Sequence, residues 1–247
     1  MFSRWGAAKT WWTRTNKDQA LAAEARLLSR LQFFSFKGVS STDASENTTV
    51  ARVGLVELSG KNRLINTLVI KQQNSGSSAI DMSEAAVEQK DRETDDQGRT
   101  PIAQTKLDIK STADNHDNSV ISPPGPGERA IVVCHGYGAG MAFFYRNFHS
   151  LSQIPNSKIY ALDWLGMGGS SRPDFKFKHT QKSSVQQVVK DSEDFFIEGL
   201  EEWRQIQKIE KMVLIGHSLG GYLSVAYALK YPQRVEKLIL VSPGKWF

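Results

Sequence analysis

Apolar residues follow two different rhythms along this chain, and one long segment has almost none. Residues 50–58 (ARVGLVELS) and 64–71 (LINTLVIK) alternate apolar and polar positions and are rich in Val, Leu and Ile. That period of two is the signature of half-buried strands. Gly60, Lys61 and Asn62 lie between them as a turn signal, so the pair predicts a β-hairpin. From residue 129 the rhythm changes. Residues 130–134, 158–162, 212–215 and 235–241 are short apolar runs, and the segments between them have helical spacing. Helices are predicted over 141–153, 183–209 and 218–230, the last ending before Pro232. In the longest, Val185, Val188, Val189, Phe196, Leu200, Trp203 and Ile206 recur at helical intervals. Short apolar strands alternating with helices predict an α/β domain built on a mostly parallel sheet with helices on both faces.

Residues 73–128 contain no Phe, Trp or Tyr, are rich in Ser, Asp, Gln and Asn, and finish in SPPGPGE. Such a segment buries too little surface to offset its ordering entropy, and it reads as a disordered insertion. The hairpin before it is too small to stand as a domain. The folded part is therefore expected in two stretches, 50–72 and 129–247. A total of 247 residues suits one sizeable α/β domain.

Charge sharpens this division. The insertion holds eleven acids and five bases, leaving 15 acids against 26 bases elsewhere. A basic folded portion favours anionic partners such as phospholipid head groups or nucleic acid. No arginine-rich run interleaved with aromatics occurs in the folded part, which disfavours nucleic acid. The single cysteine, Cys134, permits no internal disulfide, fits a reducing compartment, and sits in an apolar run where it reads as buried and inert.

The first 40 residues form a third region. Residues 1–17 carry Arg4, Lys9, Arg14 and Lys17, no acid, and Trp5, Trp11 and Trp12. Tryptophan favours a membrane–water interface, with an apolar body and one polar N–H. A helical pattern follows, with Leu21, Ala25, Leu28 and Leu31 on one face. Together these read as a surface-lying membrane contact, with the three tryptophans as its anchors. A mitochondrial presequence and a helix docked on the protein's own core are the alternatives. No apolar stretch is long enough to cross a bilayer.

The candidate chemistry sits at the ends of the predicted strands. Residues 214–222 (LIGHSLGGY) hold Gly-x-Ser-x-Gly where a strand runs straight into a helix. Gly216 and Gly220 permit a sharp turn with close helix–strand packing, and Ser218 would stand exposed at its tip as a nucleophile. Acyl transfer also needs two N–H donors aimed at an oxyanion. One would be the backbone of Leu219. The other would come from the loop VVCHGYGAG (132–140), from Tyr137 or Gly138. ALDWLGMGGSSRP (161–173) adds a small-residue turn, in which Asp163 is expected to organise its own loop. This chemistry calls for no metal and no cofactor.

His135-Gly136, DWLGMGGSSRP and GHSLGGYLSVAYALKYPQRVEKLILVSP resemble the α/β-hydrolase superfamily. They look most like its lipid-acting branch of N-acyl-phospholipid hydrolases, cardiolipin deacylases, lysophosphatidic-acid acyltransferases and a lipid-droplet lipase coactivator. EEW at 201–203 and AEARLL at 23–28 share the likeness. The resemblance implies a lipid or acyl-ester substrate, hydrolysed through Ser218, at a lipid-droplet or mitochondrial surface. A non-catalytic interaction protein and a lysophosphatidate acyltransferase are its alternatives. The branch's His-x-x-x-x-Asp pattern is absent, since Ile121, Gly140, Ile154, Ser184 and Tyr222 stand five residues after the five histidines.

In this fold the triad runs Ser, acid, His along the chain. After Ser218 there is no histidine, and Glu236 is the only acid. His217 adjoins the serine on a turn where neighbours point apart, so it reads as packing. The chain is therefore expected to be truncated, with the family's first six strands but without the last two, the cap and two triad members, and to turn over little substrate. Its last strand is expected to be an exposed apolar edge. Gly244-Lys245 can be encoded across a splice-donor consensus, so an unspliced gene model or retained intron is the expected cause.

Overall fold

The computed structural model describes residues 17–31, 47–74, 123–174 and 184–244. Six strands form one sheet in the order β1-β2-β4-β3-β5-β6. They are β1 (Asn47–Glu57), β2 (Leu64–Asn74), β3 (Arg129–Cys134), β4 (Ser157–Leu162), β5 (Met212–His217) and β6 (Val235–Val241). The hairpin of β1 and β2 pairs antiparallel and joins β4 antiparallel through Thr67–Lys71. β4, β3, β5 and β6 are mutually parallel. The helices are α1 (Lys17–Leu28), α2 (Tyr145–Ser152), α3 (Val185–Ile206) and α4 (Leu219–Lys230). This is the architecture of an α/β-hydrolase fold.

Alternate residues of each central strand enter two separate cores. Ala130, Val132 and Cys134 join Leu200, Trp203, Leu223 and Tyr227 beneath α3 and α4. Ile131 and Val133 face the other way, onto Leu28, Leu31, Met141 and Phe148. Apolar side chains on both faces of one strand explain why the central strands read as unbroken apolar runs. Between α3 and α4, Arg204 grips Glu201 through Nη2 at 2.6 Å and Nε at 2.8 Å, and Tyr227 donates to Glu201 at 2.6 Å. Burial pushes the Glu201 carboxyl up, but these bonds and one from Gln205 outweigh it and hold it near about 2.

Several sequence expectations change here. The apolar face of α1 does not lie open for a membrane: Ala25, Leu28 and Leu31 are buried on the protein's own core. The helix predicted over 141–153 opens as a 3-10 turn, Met141–Phe144, before α2. β2 runs on to Asn74, two residues into the expected insertion, because backbone pairing with Asn47 and Thr48 continues past its apolar stretch. At the other end, Lys158 Nζ bonds the Pro123 carbonyl at 3.1 Å and Glu128 pairs with Lys71 at 3.2 Å, tying residues 123–128 to the sheet. Residues 75–122 of the insertion, and Trp5, Trp11 and Trp12, lie outside the described residues. β6 stands at the sheet's edge with Ile239, Leu240 and Val241 exposed, as expected of the last strand. Among the described residues no helix is long and apolar enough to cross a membrane.

Candidate active site

β5 enters α4 through Ser218, whose φ of 53° lies in the left-handed region that residues with a side chain rarely adopt. Steric demand on its neighbours explains the glycines. A Cβ at Gly216 would lie 2.5 Å from the Gly220 carbonyl oxygen and 2.6 Å from Ser224 Oγ. One at Gly220 would lie 2.5 Å from the carbonyl oxygens of both Cys134 and His135. The start of α4 is thus pressed onto the ends of β5 and β3, with no room for side chains between. Backbone bonds lock the turn: Ser218 N–H donates to Val241 O at 3.1 Å, and Ser218 O accepts from Tyr222 N–H at 3.1 Å and Gly244 N–H at 2.9 Å. The Ser218 side chain makes no capping bond.

β3 and β5 are adjacent and parallel, so their C-terminal ends bring the loop after β3 against the serine. A Cβ at Gly136 would meet Ser218 Cβ at 2.9 Å. Tyr137 follows directly, with its ring 79% exposed, and Gly138 has a φ of 65°. Among the described residues, neither Tyr137 nor Leu219 gives its N–H to a backbone carbonyl. Leu219 is the first residue of α4, where N–H groups have no partner within the helix and the dipole favours negative charge. Ser218, Leu219 and the 136–138 loop are therefore brought together at one end of the sheet.

The residues beneath this loop are held by a buried polar network. His135 is fully buried; its Nδ1 donates to the Gly136 carbonyl at 2.7 Å and its Nε2 accepts from Trp164 N–H at 3.2 Å. Burial pushes its basicity down against the opposing Gly136 carbonyl and Asp163, so the ring is neutral and both nitrogens are occupied. Asp163 Oδ1 accepts from Met141 N–H at 2.7 Å, and Oδ2 accepts from Gly169 N–H at 2.7 Å and Asn66 Nδ2 at 3.0 Å. It organises its own loop, as expected, and also fixes the turn that follows the 136–140 loop.

Asn66 and Glu24 had no place in the sequence reasoning. Asn66 Nδ2 bonds both Glu24 oxygens at 3.1 Å as well as Asp163, so α1, β2 and the turn after β4 meet at one amide. Burial, then the Asp163 carboxylate, raises the Glu24 carboxyl to about 7. The signal was available: Glu24 lies three residues after Leu21 and four before Leu28, on the apolar stripe of α1.

The other candidates are placed as follows. His217 stands edge-on to the Phe144 ring at 6.2 Å, a packing contact. His149 is exposed on α2, and His116 and His179 lie outside the described residues. Among the described residues no side chain hydrogen-bonds Ser218 Oγ. Cys134 is buried, and burial pushes its thiol well above the range in which it would ionise.

A strained serine between strand and helix, beside a glycine loop on the neighbouring parallel strand, is an arrangement of the α/β-hydrolase fold. Residues 129–247 match the family model of the alpha/beta hydrolase fold. The particular relatives act on lipids by name. The chain is 41% identical over 132 residues to 1-acylglycerol-3-phosphate O-acyltransferase of Arabidopsis thaliana, covering 53% of this chain and 29% of that protein. It is 38% identical over 123 residues to (Lyso)-N-acylphosphatidylethanolamine lipase of Mus musculus, covering 50% and 32%. The chain thus spans about a third of the length of the curated relatives it matches. Among solved structures, carboxylesterase CesB of Bacillus subtilis shares the fold with a TM-score of 0.51 at 15% identity, over 93% of this chain and 50% of that one. Residues 129–247 thus have the alpha/beta hydrolase fold, and the lipid chemistry in the names is that of the relatives.

Proposed function

We propose that Ser218 is the nucleophile of an acyl hydrolase acting on phospholipid or lysophospholipid esters or amides. The observation that carries this is the φ of 53° at Ser218, a strain maintained by Gly216 and Gly220 that presents the hydroxyl beside Gly136. Ser218 Oγ adds to the acyl carbon, and the backbone N–H groups of Leu219 and Tyr137, or Gly138, take the oxyanion. Collapse expels the alcohol or amine, which takes up a proton, and water then releases the acid from the acyl-serine. An apolar hollow of about 340 Å³ lies at the same end of the sheet, lined by Leu165, Gly166, Met167, Ser192, Phe195 and Phe196, and suits an acyl chain. Neither His135 nor His217 is free to accept the Ser218 proton, because both His135 nitrogens are engaged and His217 packs on Phe144.

A fluorophosphonate probe tests the assignment. The protein is expected to label at Ser218, and Ser218→Ala to abolish labelling. Labelling that survives Ser218→Ala would refute the nucleophile.

Acyl transfer is the second reading, favoured by the acyltransferase name of the 41%-identical relative. Lysophosphatidate supplied with acyl-CoA would give phosphatidate under that reading and free fatty acid under the first. A non-catalytic role at a lipid-droplet or mitochondrial surface would show as cellular function that survives Ser218→Ala.

A further inference from the structure

The stretch from the oxyanion loop into α2 exposes groups that neither the core nor the chemistry uses. Phe143 is 68% exposed on the 3-10 turn, while its neighbours Met141 and Ala142 are buried beneath it. The Tyr137 ring, one residue from Gly136, stands still further out. Neither ring is needed for the oxyanion, which uses backbone N–H groups. Both rings are open to an apolar partner.

Charge gathers on the next turn of the chain, three residues after Phe143. The Arg30 and Arg146 guanidinium carbons each lie 5.7 Å from the centre of the Tyr145 ring, and Arg146 Nε donates to the Tyr145 hydroxyl at 3.0 Å. Among the described residues neither guanidinium forms an ion pair with a carboxylate. Two cations gathered on one aromatic platform, without a counter-charge, are electrostatically incomplete. Guanidinium forks fit phosphate oxygens closely. Arg30 follows α1 and Arg146 lies in the first turn of α2, so packing of α1 on the core brings the pair together beside the catalytic end of the sheet.

We infer that Tyr137, Phe143, Arg30 and Arg146 form a docking surface for an anionic phospholipid interface, with the two rings entering the acyl boundary and the two guanidiniums holding lipid phosphates. Charge complementarity and the paired exposed aromatics select this occupant. A zwitterionic surface would leave the arginines with no net attraction, and a soluble phosphate would leave the rings uncovered. The inference deepens the acyl-hydrolase reading and rests on it for its purpose.

Vesicle flotation tests it with no need for turnover. The protein is mixed with phosphatidylcholine vesicles, with or without phosphatidylglycerol, at low and at physiological salt. Arg30→Gln with Arg146→Gln is expected to weaken partition onto phosphatidylglycerol vesicles by about 30-fold and flatten its salt dependence, with little change on phosphatidylcholine alone. Arg30→Lys with Arg146→Lys is expected to restore most of the partition. Tyr137→Ser with Phe143→Ser is expected to weaken partition onto both vesicles by about 10-fold or more. Ser218→Ala should bind as the parent does, and the double glutamine variant should keep the parent's fluorophosphonate labelling in lipid-free buffer, so the two readings fail separately. Unchanged partition in the glutamine and serine variants would overturn the docking surface, as would equal parental binding to the two vesicle types.

Discussion

Replacing Glu24 with glutamine should make the protein more stable at neutral and alkaline pH. Glu24 shares the Asn66 amide with Asp163, and burial beside that carboxylate raises it from 4.5 to about 7. Below about pH 4.5 the group is protonated whether the chain is folded or not, and it contributes no pH dependence. Between about 4.5 and 7 the folded chain keeps the proton that the unfolded chain has lost, so stability falls as pH rises. Above about 7 the carboxylate is ionised in both states and the whole cost is present. At about 1.4 kcal/mol per pH unit this comes to on the order of 3 kcal/mol, and screening at its partly exposed face lowers it to about 2 kcal/mol. Glutamine keeps a carbonyl for Asn66, offers an N–H to Asp163, and cannot ionise.

Urea unfolding of parent and Glu24→Gln at several pH values is the assay. The two should be equally stable near pH 4.5 and differ by about 2 kcal/mol near pH 8, with most of the divergence falling between. A domain of this size would show the difference as a Tm gain of roughly 4–8 °C. Equal stability near pH 8, or a gap that does not grow with pH, would refute the claim that Glu24 is ionised at a cost beside Asp163.

Ser218→Gly should raise stability by about 1–2 kcal/mol, because glycine adopts the φ of 53° without strain, while removing all fluorophosphonate labelling; differential scanning calorimetry and the probe give the two readouts. Gly220→Ala should cost more than about 3 kcal/mol or prevent folding, because its Cβ would meet two backbone oxygens at 2.5 Å, and the soluble yield and urea midpoint report it. Arg204→Ala should cost about 3–5 kcal/mol by leaving Glu201 buried with its cation gone, whereas Lys190→Ala, at an exposed pair with Asp194, should cost under about 0.5 kcal/mol. Leu240→Lys, on the exposed edge strand, should reduce concentration-dependent light scattering without lowering Tm.

What the sequence made legible was whatever depends on neighbours close along the chain. The turn at Ser218 was readable because its constraint, bare backbone at Gly216 and Gly220, falls two residues either side of the serine. The central strands were readable because two cores bury them on both faces, which leaves no polar alternation to confuse with a helix. The docking of α1 was not readable in the same way. An amphipathic face looks alike whether a bilayer or a sheet covers it, and only the sheet's geometry decides that Leu28 joins Leu68 and Met141 in one core. The Glu24–Asn66–Asp163 cluster was hidden for a stronger reason, because its members lie 42 and 97 residues apart and no spacing rule connects them. Yet one clue needed no structure. A carboxylate on the apolar stripe of a helix that packs on protein must find a donor or hold its proton, whereas on a helix lying at a membrane it would face lipid. Glu24 therefore argued for a docked helix all along, and its raised pKa follows from the same fact that places α1 on the core.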